Sequence, residues 1–349
     1  GKGGICLLNK GSKKHLIVPI FIPNQGCPHR CIYCQQEKIT AQPTRIVNAF
    51  TIKQILDKAV KSTGFDTGRE PEIAFYGGTF TRMPVDKMTV LLGAVAPYLK
   101  SGFFRSIRVS TRPDALDERR LDLIKSFGVS TVELGVQSMD DRVLELSLRG
   151  HTSRDTFESV HLLRRHGFKV GIQLMPGLPG DSEEKFMKTV EEVIKLCPDM
   201  VRLYPTVVIR GTELAKWYQE KKYHPLRLEE AVNICQQSCV RLEGNGIPVI
   251  RIGLMSSPSL LRAGQIVAGP WHRAFGFLVR SGIHFKKIES YLPRKGKVTR
   301  FRIMAPYKEI PLVRGYKNKG LHLIEYKTGA RVTDVIPDES IPSGQIGIE

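Results

Sequence analysis

The sequence predicts an α/β fold with a parallel sheet, and two observations lead there. Short apolar runs alternate with amphipathic stretches along residues 16–254, and the chemically unusual residues fall just after the apolar runs. The runs LIVPIFI (16–22), EIAFYGG (72–78), RSIRVS (105–110), STVELGV (130–136), FKVGIQLM (168–175) and MVRLYPTVVI (200–209) read as strands, and the pattern lasts through IPVIRIGL (247–254). Between them TIKQILDKAVKS (51–62), VDKMTVLLGAVAPYL (85–99), ERRLDLIKSF (118–127), SRDTFESVHLLRRHG (153–167) and DSEEKFMKTVEEVIKLC (181–197) read as helices, several opening at an N-cap residue. Such an alternation fits a doubly wound sheet or a complete or partial (β/α) barrel, and periodicity does not choose between them. In each, function belongs at the strand C-terminal ends. From about residue 255 the pattern changes to short extended pieces, VTRFRIMAP (298–306), LHLIEYKTG (321–329) and ARVTDVIP (330–337), which predict a small β-rich extension. The expected division is therefore a tail over 1–15, the α/β domain over 16–254 and the extension over 255–349.

Composition narrows the class. The 349 residues are 41% hydrophobic and 25% charged, a balance that excludes a disordered chain. No apolar run approaches the roughly 18 residues of a membrane span, and the basic N-terminus lacks a signal-peptide core, so the expected location is the cytoplasm with no membrane partner. A net charge of +19 favours polyanionic partners, and about half of the excess lies in residues 251–349. Of seven cysteines, three stand within eight residues, which argues for reduced thiols with one clustered metal site rather than a disulfide framework.

That cluster, GCPHRCIYCQQ, places Cys27, Cys31 and Cys34 in C-x3-C-x2-C spacing directly after a predicted strand. Three close thiolates suit one face of a [4Fe–4S] cluster. A zinc site takes four protein ligands and would have to recruit His29 or a distant cysteine. Zinc-binding or redox thiols are the alternative. With Tyr33 before the last cysteine, the motif resembles the signature of radical S-adenosylmethionine enzymes, and this resemblance implies the partial (β/α) barrel of that family. It also implies an open iron that chelates the amino and carboxylate groups of S-adenosylmethionine, whose reductive cleavage yields a 5′-deoxyadenosyl radical.

The downstream motifs extend the resemblance. FYGGTF (75–80) looks like the segment that holds the methionine amino group and assigns Gly77, Gly78 and Thr79 to the cofactor. STRPD (110–114) puts Ser110 and Thr111 beside it, with Arg112 and Asp114 divided between a cofactor role and a scaffold ion pair. By similarity to coproporphyrinogen-oxidase-like enzymes, Gln137 and Gln173 contact the nucleoside and Arg149 the methionine carboxylate. A guanidinium binds a carboxylate bidentately, which supports the last assignment. Glu133 faces the sheet interior or the site depending on register. MPGLPGD (175–181) is a loop that could line the adenine pocket or serve only as a turn.

From residue 16 to 254 the sequence further resembles the radical domain of Elongator catalytic subunits. LYPTVVIRGTEL is the most discriminating segment; it implies Tyr204, Arg210 and Thr212 near the substrate, the first two in a catalytic role. Two departures stand out. The first cysteine gap is the ordinary three residues, and the stretch after the α/β domain has no recognisable acyl-CoA loop, so the acetyltransferase domain of those subunits is not expected in it. Cys235 and Cys239, four apart on one helix face, with Cys197 suggest either a second cluster or core thiols, and the lack of a C-x2-C favours core thiols; His272 reads as a packed surface histidine rather than a proton donor or substrate contact. The basic stretch 286–302, with Tyr291 and Phe301, suits phosphate tracking and base stacking or is a solvated face.

The expected activity is radical cleavage of S-adenosylmethionine in order to modify a tRNA or other RNA nucleoside, with an electron donor of the ferredoxin or flavodoxin type. Two alternatives are carried: a radical enzyme acting on an acidic small molecule such as a porphyrin, and a non-catalytic iron–sulfur nucleic-acid-binding module.

Overall fold

The computed structural model describes residues 16–40 and 47–349. The expected tail over 1–15 lies outside the described residues. The elements run in chain order β1 (Ile17–Phe21), α1 (Gln36–Thr40), α2 (Ala49–Val60), β2 (Glu72–Tyr76), α3 (Val85–Lys100), β3 (Ser106–Thr111), α4 (Glu118–Ser126) and β4 (Val129–Gln137). They continue with α5 (Asp141–Leu146), α6 (Ser153–Arg165), β5 (Lys169–Leu174), α7 (Glu183–Leu196), β6 (Met200–Leu203), β7 (Val208–Ile209), α8 (Glu213–Gln219), α9 (Leu228–Gly244) and β8 (Val249–Ile252).

Seven strands form one parallel sheet in the order β1-β2-β3-β4-β5-β6-β8. The order never reverses, so there is no switch point of the doubly wound kind, and right-handed crossovers place successive helices on one face. The result is a curled partial barrel. Local chemistry sets the helix starts: Asn48, Asp117, Asp140 and Ser182 each accept a backbone N–H of the first turn, and Thr152 with Asp155 makes a capping box on α6. One face of each strand packs against these helices through residues such as Ile73, Phe75, Ile107, Val109, Val132 and Leu134, all fully buried.

The opposite face looks into the barrel. Alternation along the strands and the pairing register bring Glu72 and Tyr76, Arg108 and Ser110, Glu133 and Gly135, Gln173, Arg202 and Arg251 to it. Five of the seven strands thus carry a charged side chain inward.

Two expectations about elements are corrected. The run 200–209 is not one strand: after Leu203 the chain leaves the sheet at Pro205, which has no N–H for a ladder, and Val208–Ile209 pairs antiparallel with β9 (Ile266–Ala268). LHLIEYKTG is a helix rather than a strand. It lies within α12 (Lys319–Thr328), whose buried Ile324 and Thr328 stand four apart and whose end is closed by Gly329 in the left-handed conformation, its N–H on the Glu325 carbonyl at 2.8 Å.

The chain divides into two compact units. One comprises the chain through Arg227 together with Arg241–Trp271; the other comprises Leu228–Val240 and His272–Glu349. The expected junction at 254/255 falls inside the first unit, because β9 pairs with β7 and Leu260 packs with Val207 and Ile209. The second unit contains α10 (Phe275–Ile288), β10 (Arg300–Ala305), α11 (Ile310–Arg314), α12, β11 (Arg331–Pro337) and β12 (Gly347–Ile348). Its three strands form a sheet in the order β11-β10-β12 over a core of Ile288, Phe301, Ile303, Val313 and Ile324. No helix among the described residues is long and apolar enough to cross a membrane.

Candidate active site

The cysteine loop follows β1 and is held on both sides. Asn24 donates its N–H to the Gly77 carbonyl at 2.9 Å, Thr79 donates to the Gln25 carbonyl at 2.8 Å, and Ile32 is tied by backbone bonds to Ser147 and Leu214. Gly26, at φ +75°, is required here: a Cβ would lie 2.1 Å from the Thr79 carbonyl oxygen. Gly78 serves the same contact, since its Cβ would meet the Gln25 carbonyl at 2.5 Å. Its missing side chain is thus filled by the cysteine loop itself, whereas Gly77 has nothing closer than 3.7 Å.

All three thiols are partly exposed and free of disulfides. Burial, and then the neighbouring Cys31 and Cys27 sulfurs, push the Cys34 thiol up to about 12. The sulfurs therefore share one neighbourhood, although no group of three or more Cys, His, Asp or Glu among the described residues is arranged to hold a single ion. Cys27 Sγ lies 3.3 Å from the Thr79 hydroxyl. His29 is already engaged, its Nε2 standing 2.8 Å from the Leu148 carbonyl oxygen.

Arg149 is the cation of the site. It is only 6% exposed, donates to Cys31 Sγ at 2.9 Å and to the Gly135 carbonyl at 2.5 Å, and its buried Nε has no partner. Burial works against its charge, but Tyr33 and Cys31 more than offset this and hold its pKa above the ordinary guanidinium value. No carboxylate among the described residues is bonded to it, which leaves a buried positive charge suited to an anion. Gly135 leaves room for it: a Cβ there would stand 3.4 Å from the guanidinium and 3.0 Å from Gln137 Nε2.

Gln137 ends β4 in the left-handed region at φ +71°, a strained position for a buried glutamine, and its Oε1 accepts from Gln173 Nε2 at 3.2 Å. Arg112 resolves into scaffold: it grips Asp114 at 2.8 and 3.0 Å and donates to the Arg149 carbonyl. Asp114 is correspondingly held below the usual carboxylate range by Arg112, against the opposing effect of burial.

Among the expected site residues, the structure gathers Cys27, Cys31, Cys34, Thr79, Arg149, Gln137 and Gln173, with Ser110 half-buried on the barrel face beside Glu133. Thr111 is not among them. It follows Ser110 and so faces the other side of the strand, where its hydroxyl meets Thr81 at 2.6 Å. Arg210 is exposed, with its guanidinium pinned to the Gly264 carbonyl at 2.6 Å and its own carbonyl accepting from Lys38 at 2.7 Å, and Thr212 is the N-cap of α8. Tyr204 lies in the barrel beside Tyr33, Met175 and Leu178, with Arg202 donating to its hydroxyl at 3.2 Å.

An interior ion network was not anticipated. Arg108 bonds Glu72 at 2.5 Å and Glu133 at 2.6 Å; Arg202 bonds Glu133 at 2.9 Å and Tyr76 at 2.6 Å. Its mark in the sequence is a lone charged residue in each of EIAFY, SIRVS, VELGV and MVRLY. Burial and then Glu133 raise the Tyr76 hydroxyl well above its ordinary value, so it is a neutral donor.

His151, beside this site, is driven down to about 3 by burial and then by Arg149 and Arg112. The unfolded chain protonates it near 6.5 and the folded one only near 3, so stability is complete above about pH 6.5 and is lost progressively as pH falls toward 3. Substitution His151→Gln is expected to flatten urea-unfolding stability across that window.

Comparison with known proteins agrees with this geometry. The Radical SAM superfamily profile matches residues 21–193, and the Radical_SAM C-terminal domain matches 198–284. A tRNA uridine(34) acetyltransferase of Dehalococcoides mccartyi is 33% identical over 233 residues, covering 57% of this chain and 50% of that protein. One from Methanocaldococcus jannaschii is 41% identical over 129 residues, covering 36% and 24%. The solved structure of the archaeal Methanocaldococcus infernus Elp3 with an N-terminal deletion superimposes with a TM-score of 0.61 at 25% identity, over 79% of this chain and 64% of that one. The chain thus spans half or less of the length of these curated relatives. With a partial barrel of seven parallel strands, three thiols at the end of its first strand and both profiles in sequence, the chain belongs to the radical SAM superfamily.

Proposed function

We propose that this chain binds a [4Fe–4S] cluster through Cys27, Cys31 and Cys34 and S-adenosylmethionine beside it, and that its radical chemistry is directed at a tRNA uridine. The carrying observation is Arg149: a buried guanidinium with an orphaned Nε, one amino group on Cys31, and no carboxylate partner. Such a group fits an anionic cluster on one side and a ligand carboxylate on the other. When bound, the cluster supplies the electron that cleaves the cofactor.

The chain's own contribution is positioning. Thr79 fixes Cys27, Arg112 braces the backbone of Arg149, and the Gln137–Gln173 amide pair offers donors and an acceptor to a nucleoside. Farther into the barrel Arg202, Tyr76 and Tyr204 present a hydrogen-bonding wall. The tRNA target rests on the relatives' names and on the net charge of +19.

The test is anaerobic reconstitution, reduction and quantification of 5′-deoxyadenosine with and without bulk tRNA. Turnover stimulated by tRNA is expected. Turnover indifferent to tRNA overturns the substrate, and none from a fully loaded protein overturns the enzyme. Arg149→Gln is expected to weaken S-adenosylmethionine binding by about 1.5–3 kcal/mol, the range for hydrogen bonds to charged groups, as read by calorimetry.

A further inference from the structure

We infer that the second unit carries a docking site for single-stranded RNA, built around Tyr326 and the turn 294–297. The inference takes its partner class from the reading above but concerns a separate surface. Tyr326, on α12, is 80% exposed, far more than an aromatic ring needs to place its hydroxyl in water. It lines a shallow surface cavity, wide open to solvent, together with Lys295, Glu325, Gly329, Ala330 and Arg331.

The backbone holds further cations close by. The turn 294–297 lies on the end of α12, with Gly296 donating to the Thr328 carbonyl at 3.3 Å, and Arg331 donates its N–H to Thr299 at 3.0 Å. Arg300 of β10 then stands opposite Arg331 of β11 on the exposed face of the sheet. Arg294, Lys295, Lys297, Arg300 and Arg331 are all exposed, and none makes an ion pair among the described residues.

Elsewhere many surface cations are neutralised locally. On helices of the first unit Arg142, Arg154, Lys188, Lys195 and Lys216 each pair with a carboxylate three or four residues away. Around Tyr326, Lys327 pairs with Glu289, but Arg294, Lys295, Lys297, Arg300 and Arg331 have no such carboxylate among the described residues. The single carboxylate lining the cavity, Glu325, is committed elsewhere: its Oε1 accepts the Val332 N–H at 3.0 Å and its Oε2 faces His322 at 3.8 Å.

An exposed ring flanked by unneutralised cations is what an unpaired nucleic-acid strand requires. The base stacks on the ring while the flanking phosphates meet the ammonium and guanidinium groups. A duplex keeps its bases stacked internally and has no use for the ring. An anionic membrane would use the charge but needs a contiguous apolar face, and Leu323 is the only apolar residue of α12 as exposed as 41%.

The experiment uses the full reconstituted chain and a fluorescein-labelled single-stranded oligouridine, with anisotropy read against salt concentration. Tyr326→Ala is expected to weaken binding about 5- to 100-fold, and Tyr326→Trp to preserve it. Lys295→Gln and Arg331→Gln are each expected to lower the slope of log affinity against log salt by about 0.7. Because Tyr326 is exposed, unchanged thermal melting of the variants is the accompanying check.

Unchanged affinity in Tyr326→Ala overturns the inference. So does equally tight binding of an RNA duplex, or preference for anionic phosphatidylserine vesicles over the oligonucleotide. Binding is read without S-adenosylmethionine or turnover, so its failure leaves 5′-deoxyadenosine formation intact, and a failure of that reaction leaves the binding result standing.

Discussion

Replacing any one of Cys27, Cys31 or Cys34 by Ala is expected to reduce the iron and sulfide content of anaerobically reconstituted protein to background. Each thiolate of a three-cysteine site holds one iron, and among the described residues no further cysteine or histidine is bonded into the loop as a replacement. His29 is spent on the Leu148 carbonyl, and Cys235 and Cys239 are buried in a helix of the core. The loop itself should survive the substitution, because its position rests on backbone bonds from Asn24, Thr79 and Ile32 rather than on the sulfurs. Near-native melting with no iron is therefore the expected pair of results; full iron in any one variant would remove that cysteine from the site.

The second large effect concerns stability. Glu133 receives Arg108 at 2.6 Å, Arg202 at 2.9 Å and the Tyr76 hydroxyl at 3.4 Å inside the barrel. Glu133→Leu strips Arg202 of its only carboxylate among the described residues and leaves Arg108 on Glu72. Breaking a buried pair from one side costs about 3–5 kcal/mol, which urea denaturation will read as a lowered midpoint. The double variant Glu133→Leu with Arg202→Met is expected to recover part of that loss, since it no longer leaves a buried guanidinium without a counter-charge. A loss under about 1 kcal/mol in the single variant would place these charges in contact with solvent, where ion pairs are worth little.

This network shows what sequence reading passed over. In EIAFY, SIRVS, VELGV and MVRLY a lone charged residue sits among apolar ones, a pattern that a one-sided sheet would turn toward water. In a barrel wall both faces are covered, so the charge must point inward and find a partner on a neighbouring strand. Which strand supplies the partner depends on register, and register is a tertiary property.

The same logic separates the expected site residues. Ser110 and Thr111 are adjacent in STRPD, and alternation allows only one of them to face the barrel; register selected Ser110. Arg149 was identified by resemblance, but its significance comes from burial without a carboxylate, which depends on α5, the Gly135 gap and the Arg112 brace meeting in space. Arg210 has the same chemistry in sequence and lies on the surface.

The sequence by itself determined the alternation of strands and helices, the three-thiol site after the first strand, and the excess of positive charge, because each depends on local spacing or on composition. The tertiary structure alone decided that the sheet curls without reversing, that LHLIEYKTG closes as a helix against the core of the second unit, and which cations go unpaired. Those outcomes depend on which distant groups come within a few ångströms of each other, and the free energy of a charge is set by such neighbours and by the water they displace.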